Sequence, residues 1–354
     1  MNNVRLGYAC INMTLQKDKK ICCNKTCRLA TVIAQGVNTG YPQGSKEYSM
    51  AIYKFLTDYC LRNLTAMFKI ISWSRKNNIT FYRMSSSMCP HITNPLIKDH
   101  MTNTDWTNYV GLVFGRKIIR EIGMYAQKYG IRLTMHPDHY NQLGSKDTSV
   151  IEKTLLDLTW HGTLIELMSL AADEYNHALE NNGFPIHQNV FNSSILCIHG
   201  GGVYGDKKSA LARWESSFQK LQPHVKKRIA LENDERNYST EDLLPLCNKL
   251  KIPHIFDFHH YNCWANYHPE NPTQLPKSEL LPMILKTWEV RNMIPKFHLS
   301  DQAEGKKVGA HHDYVESIPD ELIDLMKTGY KFDIMIEAKQ KELATLRLME
   351  KYKE

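Results

Sequence analysis

Residues 195–207, with the sequence ILCIHGGGVYGDK, contain one complete unit of the predicted fold. Four apolar residues of strand character, 195–198, run directly into a histidine and three glycines, and a segment with helical spacing starts at Lys207. A short buried strand that ends in a glycine-rich turn and continues into a helix is the repeating unit of an α/β protein. The rest of the 354-residue chain repeats this unit.

Strand and helix patterns alternate along the whole chain. The predicted strands are residues 4–9, 80–84, 131–135, 195–198, 228–231, 254–258, 296–299 and 332–336. The predicted helices are residues 48–76, 106–129, 150–180, 207–221, 238–250, 278–292, 316–326 and 339–349. Eight strands, each followed by a helix, predict an α/β protein with a (β/α)₈ TIM barrel, and a doubly wound open sheet is the alternative.

The sequence contains no recognisable domain boundary. No repeat, low-complexity tract or Pro/Gly-rich linker divides the sequence, so we expect a single domain over residues 1–354. Two polar stretches, 171–194 and 262–277, are rich in Asn, Pro or His. We expect both to be loop insertions near the site.

Composition excludes several classes of protein. Hydrophobic residues make up 42% of the chain and charged residues 23%, which is enough apolar material for a core and gives no sign of disorder. The longest apolar runs are a few residues, too short for a membrane span. No secretory signal is visible, so we expect an intracellular protein. The nine cysteines are scattered and odd in number, which favours reduced thiols over a disulfide framework.

The formal net charge of +7 allows an anionic partner. Nucleic acid is the simplest such partner, and an ordinary solvated surface explains the charge equally well. Basic residues cluster locally at 17–20, 226–228 and 306–307.

Most of the predicted strands end in a residue that can bind a metal ion. These residues are His136, His199, Glu232, Asp257, His260, His298 and Glu337. In a parallel barrel the carboxyl ends of all strands meet at one rim, so distant residues converge there. Mixed imidazole and carboxylate donors suit Mn²⁺, Zn²⁺ or Fe²⁺, and their number implies two or three ions. Each histidine alone is more often a structural residue, but structural residues have no reason to collect at one end of a fold.

Two further features lie next to these strand ends. HGGGVYGDK at 199–207 matches neither a P-loop nor a lipase oxyanion motif, although its glycines allow close approach of a phosphate with Lys207 nearby. A plain strand-to-helix turn is the alternative. Lys296 precedes His298 by two residues, so both point to the same face, and its amine could contact a phosphate or be chemically masked.

Ten segments of the sequence together resemble the UV damage endonuclease family. They are LGYACIN (6–12), NKTCR (24–28), FYRMSSS (81–87), HGGGVYGDK (199–207), LENDE (231–235), YSTEDLLPLC (238–247), FDFHH (256–260), KFHLS (296–300), AHHDY (310–314) and DIMIEAKQK (333–341). The resemblance runs in order from residue 5 to 348. It implies a metal-dependent (β/α)₈ barrel, related in architecture to endonuclease IV, that nicks DNA immediately 5′ to pyrimidine dimers and 6-4 photoproducts. Some members of this family also act at abasic sites.

The resemblance also implies roles for individual residues. It adds His311, with His312 as its rival, to the seven metal ligands found at the strand ends, and it places Tyr8 and Asn12 near the lesion or the phosphate backbone. Lys296 matches a lysine that the family carries before its seventh-strand histidine. We therefore expect Glu232, Lys296 and Glu337 to be catalytic. Two or three divalent ions are implied; we expect Mn²⁺, with Zn²⁺ or Mg²⁺ as alternatives.

The sequence departs from the family pattern at two places. Family members carry a histidine ligand after the second strand, where this chain has Asn94, and His91 is a possible substitute. The family also has a glutamine and an aromatic residue that probe the DNA stack, where this chain has His139 and Tyr140. A lesion-binding protein that has lost catalysis is therefore one alternative, and a metal-dependent sugar isomerase or epimerase on the same barrel is another. The expected partner is UV-damaged double-stranded DNA, with no membrane and no protein partner implied.

Overall fold

The computed structural model describes residues 3–353, and its eight strands form one closed parallel barrel. The strands are β1 (Val4–Ala9), β2 (Phe81–Met84), β3 (Arg132–Met135), β4 (Leu196–His199), β5 (Ile229–Glu232), β6 (His254–Asp257), β7 (Lys296–Leu299) and β8 (Phe332–Ile336). They pair in chain order, and β8 closes the barrel onto β1, with Tyr8 opposite Ile336. The predicted (β/α)₈ barrel is confirmed, and the open sheet is excluded.

Fourteen α-helices surround the barrel within the described residues. They are α1 (Met13–Lys19), α2 (Leu29–Val37), α3 (Lys46–Lys76), α4 (Pro95–Lys98), α5 (Asn103–Val110), α6 (Arg116–Tyr129), α7 (Thr148–Asn181), α8 (Lys207–Phe218), α9 (Pro223–Lys226), α10 (Thr240–Leu250), α11 (Phe258–Tyr267), α12 (Lys277–Glu289), α13 (Asp320–Lys327) and α14 (Lys341–Lys351). None of the helices within residues 3–353 combines the length and apolar composition that crossing a membrane requires.

Each of the two stretches predicted as loop insertions is part helix and part loop. Residues 171–181 continue α7, and the chain then folds back along its last turns, where the Asn189 amide donates to the Ser169 carbonyl at 3.0 Å. Residues 262–267 belong to α11, so only the segment between α11 and α12 is a loop. Most residues of these two helical parts are exposed or half-buried, so their polar composition did not distinguish them from loops.

A buried ion-pair cluster fills the amino-terminal end of the barrel. Arg132 on β3 donates to Asp333 Oδ2 on β8 at 2.6 Å. Arg5 on β1 makes two bonds to the same carboxylate, at 2.6 and 2.7 Å. Asp333 and Arg132 are each only 1% exposed. This cluster ties three strands together at the end of the barrel opposite to the predicted metal ligands.

Candidate metal centre

The carboxyl ends of the strands surround a cavity of about 620 Å³. Its lining includes His136, His139, His199, Glu232, His260, His311 and Glu337. These side chains come from strands or post-strand segments up to 201 positions apart in the sequence, and the closed barrel brings them to one rim. The cavity is therefore built by the topology that the strand pattern predicted.

Glu232, at the end of β5, lies at the centre of this cluster. Its Oε2 atom is 3.0 Å from His136 Nε2 and 3.8 Å from His199 Nε2. Its Oε1 atom is 2.7 Å from His298 Nδ1. One buried carboxylate thus contacts imidazoles from three different strands or strand ends.

Asp257, at the end of β6, forms the second carboxylate of the cluster. Its Oδ1 atom accepts the backbone N–H of His260 at 2.9 Å, which also caps α11. Its Oδ2 atom is buried without a hydrogen-bond partner and lies 3.9 Å from His298 Nδ1 and 3.8 Å from His260 Nε2. A buried carboxylate oxygen without a partner is costly, so it is a free donor for a cation.

Glu337 follows β8 and supplies the third carboxylate. Its Oε1 atom is 3.2 Å from His298 Nδ1. The guanidinium of Arg83, at the third position of β2, is hydrogen-bonded to the same carboxylate. Arg83 also lines the cavity, so its guanidinium can contact both Glu337 and a bound ligand.

The protonation of these groups suits metal binding. Burial alone would raise the pKa of Glu232, but His298 and His199 outweigh this effect and hold the pKa well below its usual value. For Glu337, the charge of Arg83 overcomes burial in the same way and lowers the pKa. Burial lowers the pKa of His199 to about 3, so its imidazole is neutral and can donate a lone pair.

Donor atoms in three overlapping groups are close enough to share an ion. The groups are His136 with Cys197 and Glu232; His199 with Glu232 and His260; and Glu232 with Asp257 and His298, and within each group the donor atoms lie within 4.8 Å of one another. Imidazole nitrogens combined with carboxylate oxygens are the usual donors for first-row transition metals. The residues therefore fit divalent metal ions, and Glu232 is common to all three groups.

Two residues at the centre were not found from the sequence. Glu235 Oε2 lies 2.8 Å from His260 Nδ1, and it lines the cavity. Burial opposes ionisation of Glu235, but His260 lowers its pKa to about 2. Cys197 lies 2.7 Å from Glu232 Oε2, two residues before His199 on β4. The signal for Cys197 was strand alternation, since residues 197 and 199 face the same side.

Lys296 lies inside the barrel, as its spacing from His298 predicted. The side chain is fully buried and its amine has no hydrogen-bond partner within the described residues. Burial lowers its pKa to about 8. The amine is a strongly desolvated group next to the carboxylates, and its role stays a prediction.

The residues after β3 divide between the cavity and a neighbouring surface. The ring of His139 lies 5.3 Å from that of His199, measured between centroids, and it lines the cavity. Tyr140 is 55% exposed, and its hydroxyl donates to Asp157 at 3.2 Å. A rigidly held but exposed aromatic ring beside the cavity is available to a bound macromolecule.

The structure separates the two rival histidines after β7. His311 lines the cavity, and its ring centroid is 5.5 Å from that of His259. The His312 ring instead accepts the backbone N–H of Tyr314 at 3.2 Å. His311 is therefore the histidine of this pair that faces the centre, although it is outside the three donor groups.

Asn94 and His91 lie outside the cluster. Both line a smaller neighbouring concavity. The side-chain Oδ1 atom of Asn94 caps α4 by accepting the backbone N–H of Leu96 at 3.0 Å. One ring nitrogen of His91 is 2.9 Å from the Cys27 carbonyl and the other is 3.1 Å from the Asn94 amide. In this arrangement neither residue contacts the metal-binding groups, because their side chains are engaged in local hydrogen bonds.

Two of the residues predicted to contact DNA, Tyr8 and Asn12, are buried, and a third, Lys207, is in an ion pair. Tyr8, on β1, is fully buried against α3. Its hydroxyl is 2.7 Å from Ser74 Oγ and accepts from the Asn12 amide at 2.8 Å. Asn12 is also fully buried and caps α1. Lys207 is half-buried, and its amine is 2.5 Å from Asp242 Oδ2. Its contact with a phosphate stays a prediction.

The glycine-rich segment after β4 is a strand-to-helix turn. Gly201 has φ +86° and Gly205 has φ +87°, conformations that other residues rarely adopt. Asp206 then caps α8 by accepting the N–H of Ser209 at 3.0 Å. Gly201 and Gly202 line the cavity, so the turn leaves its backbone open to a ligand.

Together, the fold and these donors define a class of protein: a TIM barrel whose carboxyl-end rim can hold divalent metal ions. Comparison with known proteins gives the family. The sequence profile of the UV-endonuclease UvdE family matches residues 4–354. The chain belongs to this family.

Relatives from a virus, a bacterium and a fungus share most of the chain. A proposed UV-damage endonuclease of Acanthamoeba polyphaga mimivirus is 35% identical, over 99% of this chain and 92% of the viral protein. The UV DNA damage endonuclease of Bacillus mycoides is 33% identical, over 83% of this chain and 82% of its own length. The UV-damage endonuclease of Schizosaccharomyces pombe is 31% identical over 98% of this chain, which spans 50% of the yeast protein.

The fold is also shared with a solved structure. The crystal structure of SacUVDE superposes with a TM-score of 0.72 at 24% sequence identity, covering 99% of this chain and 98% of SacUVDE. The likeness extends over the whole barrel, which agrees with the strand order described above.

Proposed function

We propose that this protein is a DNA repair endonuclease that hydrolyses the phosphodiester backbone of UV-damaged duplex DNA immediately 5′ to pyrimidine dimers and 6-4 photoproducts. Abasic sites are a further expected substrate. The observation that carries the proposal is the set of three carboxylates at the barrel rim of a UvdE family member: Glu232 and Asp257, which are buried, and Glu337, which is partly buried beside His298. They are packed among four imidazoles, those of His136, His199, His260 and His298. Metal-assisted phosphodiester hydrolysis needs no protein nucleophile, and this donor set is sufficient for it.

The number of donors supports a polynuclear centre. Three donor groups share Glu232, so this carboxylate would help to hold more than one of the two or three ions that we expect. We expect Mn²⁺, with Zn²⁺ or Mg²⁺ as alternatives, because the donors mix nitrogen and oxygen. When bound, such ions supply Lewis-acid chemistry that activates water and neutralises charge on the phosphate.

Several side chains of the chain itself contribute to the proposed reaction. Arg83 holds Glu337 and lines the cavity, so its guanidinium can also face an incoming phosphate. His139 lies at the mouth beside His199 and can contact the substrate. The buried amine of Lys296 interacts electrostatically with Glu232 and Glu337. Its positive charge would reduce the repulsion between these carboxylates and an anionic phosphate.

Access to the cavity explains how damage could be selected. Glu232 and Asp257 are buried, so we expect a phosphate to approach them only when the DNA bends or nucleotides rotate out of the helix. These deformations cost a few kcal/mol for a normal pair and less for a damaged one. Selectivity then comes from the deformability of the damaged DNA, and we expect the exposed ring of Tyr140 to fill the gap in the base stack.

The direct test uses duplexes of one sequence that carry a single cyclobutane dimer, a 6-4 photoproduct, an abasic site or no damage. Each strand is labelled in turn at its 5′ or 3′ end and incubated with purified protein and Mn²⁺. The proposal predicts a single cut in the damaged strand, immediately 5′ to the lesion, and no cut in the undamaged duplex. Binding without a cut would select the damage-sensor alternative, and neither binding nor cutting would refute the proposal.

A further inference from the structure

A second concavity, of about 450 Å³, lies on the outer wall of the barrel between α1 and α3. Five basic side chains line it: Lys19, Lys20, Lys25, Arg62 and Lys69. Its remaining lining residues are Ile21, Cys22, Leu61, Thr65 and Ala66, so no acidic side chain of the described chain contributes to it. We call these five basic residues the basic wall.

The basic wall is held in place by the surrounding structure. Arg62 and Lys69 are exposed and lie seven residues apart on α3, which puts them on one face of the helix. The segment that carries Lys25 is fixed to the same helix by Asn63, which is fully buried. The Asn63 side chain accepts the N–H of Lys25 at 3.1 Å and donates to its carbonyl at 2.9 Å.

The charges of the basic wall are not neutralised by the protein. Within residues 3–353, none of its five side chains is within ion-pair distance of a carboxylate. Other lysines of the chain are paired, such as Lys227 with Glu166 at 2.9 Å. A group of unpaired cations around one concavity attracts an anion with several charges.

The basic wall is next to the metal centre. Cys10, directly after β1, lines the central cavity, and its carbonyl accepts the Cys23 thiol at 3.0 Å. The preceding residue, Cys22, lines the basic concavity. The two concavities are therefore on either side of the segment that follows β1.

We propose that the basic wall binds backbone phosphates of the substrate duplex to one side of the lesion. This inference rests on the proposed function. A duplex carries one negative charge per ~1.7 Å of its axis, so DNA that is seated over the central cavity presents a long row of phosphates beyond it. Contacts of this kind are independent of sequence, and they would fix the orientation of the damaged strand over the metal centre.

The test compares two triple variants of the intact protein that remove the same charge. Lys19→Gln/Lys20→Gln/Lys25→Gln neutralises part of the basic wall. Lys76→Gln/Lys251→Gln/Lys331→Gln is the matched control, because these three exposed lysines precede strands or end helices at the amino-terminal end of the barrel. Binding of a long lesion-bearing duplex is measured as a function of salt, with circular dichroism to establish that both variants fold.

We expect the basic-wall variant to bind the long duplex at least tenfold more weakly at moderate salt. The slope of log affinity against log salt should become shallower by about 0.9 for each phosphate that the variant no longer neutralises. The weakening should disappear when the duplex is shortened on one side of the lesion, and the control should bind like the wild type. The cleavage rate at saturating DNA should not change.

A second variant keeps the test decisive. Arg62→Gln/Lys69→Gln removes the helical half of the basic wall without altering the 19–25 segment, and it should reproduce the weaker binding in part. Equal affinities and salt slopes for both basic-wall variants and the control would overturn the inference. A wild-type protein that binds damaged DNA but does not cut it would refute the proposed function and leave this binding comparison intact.

Discussion

The guanidinium of Arg83, near the end of β2, is hydrogen-bonded to the carboxylate of Glu337, directly after β8. The two strands are separated by β1, so the contact spans the rim of the barrel. Glu337 is also 3.2 Å from His298 through the same oxygen, Oε1. Arg83 therefore orients a carboxylate of the candidate metal centre.

Arg83→Gln is predicted to lower metal affinity or cleavage activity by about 10- to 100-fold, the usual effect of removing a residue that orients a metal ligand. Metal titration of the chelated protein and cleavage kinetics measure the two effects separately. Arg83→Lys should restore part of the activity because it keeps a positive charge. Arg120→Gln, which removes an exposed arginine that pairs with Glu174, is the control. Wild-type metal affinity and activity in Arg83→Gln would contradict this role.

Asp333→Asn should destabilise the barrel without affecting its metal centre. The substitution leaves Arg132 buried and takes a bidentate partner from Arg5, and breaking a buried ion pair costs about 3–5 kcal/mol. Chemical denaturation gives the free energy of unfolding, and metal analysis gives the ion content. Asp324→Asn removes one partner of an exposed pair with Lys327 and should change stability by less than about 1 kcal/mol. Similar destabilisation of both variants would argue against the buried cluster.

His254 should make stability depend on pH. It is fully buried on β6 with Nε2 3.2 Å from Thr240 Oγ1, and burial lowers its pKa from 6.5 to about 4. Between these two pH values the unfolded chain binds a proton at His254 that the folded protein does not bind. The contribution of neutral His254 to the free energy of unfolding is therefore complete above pH 6.5 and is lost as the pH falls towards 4. A shift of this size corresponds to roughly 3 kcal/mol.

The measurement for His254 is urea unfolding between pH 4 and 7, on protein from which metal ions have been removed with a chelator. His254→Gln should lose less stability on acidification than the wild type, by the same roughly 3 kcal/mol. His177→Gln, at an exposed histidine, should keep the wild-type slope. Parallel pH curves for His254→Gln and the wild type would refute the assignment.

Tyr140 is predicted to act through its ring. Tyr140→Ala should weaken binding of a damaged duplex by about 1–3 kcal/mol, the usual contribution of one base-stacking aromatic residue. Tyr140→Phe removes only the hydroxyl that donates to Asp157, so it should bind nearly as the wild type does. Metal content should be unchanged in both. A stacking role would be excluded if Tyr140→Ala discriminated between damaged and intact duplex as well as the wild type does.

Much of the fold and part of the centre could be predicted from the sequence, because each depends on local pattern. The apolar runs that precede His199 and Glu232 are buried strands, and barrel closure follows from repeating them eight times. Tyr8 was predicted to lie near the DNA, because the sequence pattern gives the period of a strand but not which of its side chains point towards the helices. Glu235 was missed because it lies in a loop after β5, where its direction depends on tertiary contacts.

The most direct test of the account is the metal dependence of cleavage in wild-type protein and Glu232→Gln. Protein stripped with a chelator is titrated with Mn²⁺ in the presence of a labelled duplex that carries one photoproduct, and ion content is measured on the same samples. Glu350→Gln, at an exposed carboxylate on α14, is the control. We predict that Mn²⁺ restores the cut in the wild type and the control, whereas Glu232→Gln binds fewer ions and leaves the DNA intact. Cutting by metal-free wild type, or wild-type cutting by Glu232→Gln, would contradict the account.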